Sequence, residues 1–149
     1  RALLAAKVCA YAQGFQLLAA AGQEYGWQLP FGTIAATWRA GCIIRAKLLE
    51  DIRRAYERDA GLANLMVDPH FAQVMADSHE ALREVVAVAA KHGVAAPAFM
   101  SALYYYDAYR SERLPANLLQ AQRDYFGAHK YQRLDREGTF HTYWGAATS

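Results

Sequence analysis

Cysteine is scarce in this chain. Cys9 and Cys42 are its two cysteines and they lack C-x-x-C spacing. That excludes a disulfide framework or a cysteine-built zinc site and fits reduced, buried thiols in a cytoplasmic protein. An excess of one charge is lacking too. Sixteen Lys and Arg face 14 Asp and Glu, a net charge of +2 with the signs mixed, so no nucleic-acid partner is expected. No apolar run approaches the length needed to span a bilayer, and no membrane association is expected. The opening R-A-L-L-A-A-K has no initiator Met and too short an apolar core for a secretory signal, so the chain reads as a fragment that opens within a helix. Strand-like alternation, internal repeats and low-complexity segments are absent. So is a glycine-rich loop following a strand, which excludes a dinucleotide fold. His79-Glu80 suggests a zinc-protease motif, but position 83 is Arg83 rather than His, and His70, His79 and His92 are scattered. No metal is expected.

What is present is helical periodicity. Hydrophobic residues make up 54% of the chain, above the usual share, which fits an all-helical core or an interface normally covered. The expected fold is all-α: a single domain over residues 1–149, with about five main helices and an irregular tail over 130–149. Leu4, Val8, Tyr11, Phe15 and Leu18 mark one face of a helix from Ala2 to about Tyr25. Its other faces are rich in Ala and include Gly14, which predicts close packing on several sides. Gly26, Pro30 and Gly32 break the chain, and Thr33 is a candidate cap for a short helix to Arg39. Cys42 to about Asp59 is amphipathic, with Glu50 and Arg54 at favourable i, i+4 spacing on a solvated face. Asp68-Pro69 supplies an N-cap and an N1 proline for a long helix that Gly93 stops, and Pro97 opens the next. Asp107 and Arg110 are spaced as an i, i+3 pair.

Leu114 to Lys130, L-P-A-N-L-L-Q-A-Q-R-D-Y-F-G-A-H-K, carries the candidate chemistry. Pro115 is expected to start a helix and Gly127 to end it. Arg123 lies on the last turns and His129 just beyond the stop. A guanidinium presents a fixed fork of donors that suits a phosphate or carboxylate, and an imidazole adds one more. From spacing alone, a surface arginine and a loop histidine are the favoured reading. The tail has no helical period, yet it holds Phe140, Tyr143 and Trp144, which are costly to leave in water. It is expected to dock on this chain or on another copy.

The words themselves narrow this. Y-A-Q-G-F-Q-L-L at Tyr11–Leu18, W-R-A-G-C-I-I-R at Trp38–Arg45, Y-Y-D-A-Y-R at Tyr105–Arg110 and Q-A-Q-R-D-Y-F-G-A-H at Gln120–His129 together resemble the decarboxylating 6-phosphogluconate dehydrogenases. The resemblance runs from about Ala2 to near Trp144 and covers only the later part of such an enzyme. It implies the helical domain of a homodimeric, NADP-dependent oxidoreductase of the pentose phosphate pathway. That enzyme converts 6-phosphogluconate to ribulose 5-phosphate and carbon dioxide. It implies that Arg123 and His129 bind substrate phosphate across the dimer and that Ile43 makes a minor substrate contact. For Ile43 the residues alone favour a core position after a bend at Gly41. The family's cofactor domain and its catalytic lysine and glutamate would lie upstream. No residue here is expected to be catalytic or to bind NADP, and the chain alone is expected to be inactive. The alternative is a noncatalytic, all-helical oligomerisation module.

Overall fold

The structure, a computed structural model, describes residues 1–39 and 47–145. Cys42, Ile43, the expected start of a helix at Cys42 and the last four residues lie outside the described residues. The fold is all-α. Among the described residues there are six α-helices, α1 (Ala2–Tyr25), α2 (Phe31–Arg39), α3 (Leu48–Arg58), α4 (Pro69–Lys91), α5 (Pro97–Tyr109) and α6 (Asn117–Gly127). A single 3-10 turn, Leu65–Val67, precedes α4. Two short strands, β1 (Tyr131–Gln132) and β2 (Thr139–Phe140), pair antiparallel, with Tyr131 opposite Phe140. The one domain expected over residues 1–149 is organised as two compact units, residues 1–110 and 111–149.

The first unit is built on α1. Its buried residues are Ala5, Val8, Cys9, Ala12 and Phe15, so Val8 and Phe15 of the expected stripe share the inward face with small side chains, Tyr11 and Leu18 pack partly buried against the core, and Leu4 is exposed. Small residues let α4 and α5 pack closely against it. Phe15 anchors an aromatic cluster, its ring 4.9 Å from Tyr56 and 5.6 Å from both Phe31 and Trp38. Leu49 and Ile52 of α3, and Phe71, Met75 and Leu82 of α4, complete the core. Burial pushes the Cys9 thiol up to about 11, which keeps it protonated and inert.

Two expectations for α1 fail. Helix α1 is not surrounded: Leu3 and Leu17 are exposed, and a side chain at Gly14 would meet nothing nearby, so close packing does not explain that glycine. By length and composition alone α1 is also long and apolar enough to cross a membrane. Its Lys7, Gln13 and Gln16 and its buried face mark it instead as the central helix of this core. Gln16 reaches out of the helix to donate to the Ala63 carbonyl.

Local signals set the other helix ends. Asp68 caps α4, its Oδ1 accepting from the His70 and Phe71 amides at 3.0 and 3.3 Å, with Pro69 at N1. Arg58 Nη2 donates to the other Asp68 oxygen at 2.6 Å. Gly93, with φ 67°, follows the end of α4. Thr33 is not the cap of α2, which starts at Phe31. Its carbonyl lies inside the helix and accepts from the Thr37 hydroxyl. The charged side of α3 is solvated as expected. Arg54 pairs with Glu50 at 3.1 Å, and Arg39 and Arg53 converge on the same carboxylate. Arg83 of α4 holds Asp107 of α5 through two hydrogen bonds, and Arg110 adds the i, i+3 pair at 3.3 Å.

Candidate functional site

The second unit is organised around a carboxylate rather than an apolar core. Helix α6 begins at Asn117, with Ala116 at its N-cap, so Pro115 stands outside the helix it was expected to start. Leu118, Leu119, Tyr125 and Phe126 supply the helical period but are exposed, and the buried residue of α6 is Asp124. Both of its oxygens are saturated. Oδ1 accepts from the Lys130 amide at 3.0 Å and lies 2.8 Å from His141 Nδ1. Oδ2 accepts from the Thr142 amide at 2.9 Å and the Trp144 indole N–H at 3.0 Å. Burial alone would raise this carboxyl, but the four hydrogen bonds outweigh it and hold it at about 2. A buried charge is tolerable only when its lone pairs are satisfied in this way.

Asp124 thereby fastens the tail to α6. Trp144 stands edge-on to Tyr125, with ring centroids 5.8 Å apart. The hairpin closes through Arg133, which chelates Asp135 at 2.7 and 2.6 Å, and the Arg136 guanidinium lies 4.4 Å from the Phe140 ring centre. The chain reversal after α6 differs from the expected one. Gly127 is the last helical residue, and the left-handed conformation falls on Ala128 (φ 50°) and then on Lys130 (φ 64°). Gly127 has a different use: a Cβ there would lie 3.2 Å from Cδ2 and Nε2 of His129, so glycine lets that ring fold back over the last turn.

Arg123 and His129 are both exposed at this end of α6. Arg123 Nη1 donates to Gln120 Oε1 at 3.3 Å, and among the described residues no carboxylate pairs with Arg123. A guanidinium without a carboxylate and a nearby exposed imidazole are what an incoming anion requires. A groove between α6 and the hairpin, lined by Asn117, Gln120, Tyr131, Leu134 and Trp144, does not include either residue.

The family profile described as 6-phosphogluconate dehydrogenase, C-terminal domain, matches residues 1–144. The chain belongs to the 6-phosphogluconate dehydrogenase family. It is 56% identical to the decarboxylating 6-phosphogluconate dehydrogenase of Escherichia coli over 144 residues, 97% of this chain and 31% of that protein. It is 53% identical to the decarboxylating enzyme 1 of Oryza sativa subsp. japonica, over 97% of this chain and 30% of that one. Among solved structures it is similar to Plasmodium falciparum 6-phosphogluconate dehydrogenase, at a TM-score of 0.89 and 44% identity, covering 96% of this chain and 31% of that one. That enzyme was solved in its apo form, with its cofactor NADP+ and with its substrate 6-phosphogluconate. The chain therefore spans about a third of the length of these relatives.

Within the 6-phosphogluconate dehydrogenase family frame, α6 and its turn carry the Q-A-Q-R-D-Y-F-G-A-H words. Arg123 and His129 are thus two of the three residues singled out from sequence that the structure describes, and both belong to one unit. Ile43 lies outside the described residues. Sequence reasoning expected the tail with Trp144 to dock but missed Asp124 and the bonds that His141 and Trp144 make to it. The one available signal was the cluster of large aromatics in a tail without period.

Proposed function

We propose that this chain is the C-terminal part of an NADP-dependent, decarboxylating 6-phosphogluconate dehydrogenase, and that it supplies the grip on the substrate's phosphate within a homodimer. The whole enzyme oxidises 6-phosphogluconate and releases carbon dioxide to give ribulose 5-phosphate. NADP would supply the hydride acceptor for that reaction. The residues described here do not fit that cofactor, since the strands among them are two residues long and none leads through a glycine-rich loop into a helix. In this reading the oxidative step belongs to parts of the enzyme beyond this chain.

The observation that carries the reading is Arg123. Its guanidinium is exposed, free of any carboxylate among the described residues, and set one turn before the reversal that presents His129. A phosphate dianion can accept two parallel hydrogen bonds from such a fork, and the imidazole supplies a third. By the family resemblance alone, Ile43 is proposed as a minor contact to the same substrate. The dimer half of the reading is supported by the surface of the second unit, where Leu118, Leu119, Tyr125, Phe126 and Tyr143 are all more than half exposed. A symmetric partner that takes up this surface and lends its own is the simplest cover for it.

In the complete enzyme, Arg123→Lys is expected to raise the KM for 6-phosphogluconate by about one to two orders of magnitude with a smaller effect on kcat, because lysine keeps the charge and loses the fork. An unchanged KM would refute the phosphate role.

A further inference from the structure

Ala128 and Lys130 both lie in the left-handed region, which residues bearing a side chain rarely adopt, and they flank His129 on either side. Such a segment persists when its surroundings hold it from outside. Here three hydrogen bonds do so. The Ala128 amide donates to the Asp124 carbonyl at 2.9 Å, and the Lys130 amide donates to Asp124 Oδ1 at 3.0 Å. The Lys130 carbonyl accepts from Gln120 Nε2 at 2.5 Å.

The other end of the Gln120 amide accepts from Arg123 Nη1 at 3.3 Å. One half-buried side chain thus bridges the guanidinium and the backbone next to the imidazole. The orientation of this amide is fixed by chemistry. A guanidinium only donates and a carbonyl only accepts, so Oε1 must face Arg123 and Nε2 must face Lys130. Glutamate has no donor for the carbonyl, lysine no acceptor for the guanidinium, and methionine neither.

We propose that Gln120 is a positioning residue of the phosphate site, tying the Arg123 guanidinium to the strained turn that carries His129 so that both meet a phosphate dianion as one preformed unit. This rests on the phosphate reading above. Gln120 itself does not touch the ligand. Its effect is to lower the ordering cost of two otherwise mobile side chains, which is gained in affinity rather than in chemistry.

The test uses the complete enzyme and two variants, Gln120→Met and Gln120→Glu, with Arg123→Lys alongside. KM and kcat for 6-phosphogluconate, the Ki of inorganic phosphate against that substrate, and the melting temperature are measured. Gln120→Met is expected to raise KM and the phosphate Ki together by roughly tenfold, with kcat nearly unchanged and melting unaltered. Gln120→Glu is expected to do the same, since it retains the Arg123 contact but turns an anion toward the Lys130 carbonyl. If Arg123→Lys raises KM and Ki while both Gln120 variants leave them unchanged, the positioning role is wrong and the phosphate reading stands. If all three leave them unchanged, the phosphate reading falls and takes the proposal with it. Loss of folding in both Gln120 variants, or a lowered melting temperature with Ki unmoved, makes Gln120 a scaffold residue and overturns the proposal.

Discussion

Asp124 shows how a single charged side chain can replace a core. It is completely buried, and its four donors come from residues 6, 17, 18 and 20 positions downstream. Its carboxyl is held at about 2, below the ordinary value near 4 for an aspartate in an unfolded chain. A folded-state pKa lowered in this way gives stability that is fully present above the unfolded value and is lost as pH falls through the folded one. The tail should therefore stay fastened to α6 down to about pH 4 and release progressively toward pH 2. The Trp144 indole N–H resonance followed by NMR checks this, and a resonance unchanged at pH 2 would contradict it. Gly127 permits a second test at this scale. Gly127→Ala should hold or slightly raise helix stability, by up to about 1 kcal/mol, since alanine is the better helix former. It should also displace the His129 ring, which a Cβ would crowd at 3.2 Å, and raise KM for 6-phosphogluconate in the complete enzyme. Stability and affinity moving in opposite directions is the signature, and a KM unchanged by the substitution would contradict it. Arg123 and His129, the residues proposed for the site, could be singled out in advance because they sit inside a family word. Asp124 was not, because the value of a carboxylate depends on donors that only the folded tail brings to it.

At the scale of elements, the sequence was most readable where one residue decides a helix end by its own chemistry. Asp68-Pro69, Gly93 and Pro97 all act as expected. It was least readable where several local options compete. Pro115 and Thr33 look like start signals, yet α6 and α2 begin elsewhere, and the reversal expected at Gly127 is taken by Ala128. For α1, periodicity of large residues found part of the buried face, Val8 and Phe15, but not Ala5, Cys9 and Ala12, whose burial brings α4 and α5 close. The start of α4 carries the prediction at this scale. Asp68 is 2% exposed, caps two amides and accepts from Arg58. Asp68→Ala should destabilise the first unit by about 1–2 kcal/mol, through lost capping and the lost ion pair with the half-exposed Arg58. Chemical denaturation measures it, and a change below about 0.5 kcal/mol would show that the cap is dispensable.

At the scale of the whole molecule, the two units contrast. Residues 1–110 have an apolar core of interlocked helices, whereas in residues 111–149 the one fully buried side chain among those described is Asp124. The all-α class was legible from periodicity, and the excess of hydrophobic residues was a fair sign of surface left uncovered. The proposed homodimer gives that surface its cover and brings Arg123 and His129 to a neighbour's substrate. The central claim is that these two side chains hold the phosphate of 6-phosphogluconate across the dimer. Its most direct test is a crystal structure of the complete enzyme with bound 6-phosphogluconate. The account predicts a dimer in which the phosphate oxygens lie within hydrogen-bond reach of the Arg123 guanidinium and the His129 ring of the opposite protomer. A phosphate bound away from both side chains would contradict it.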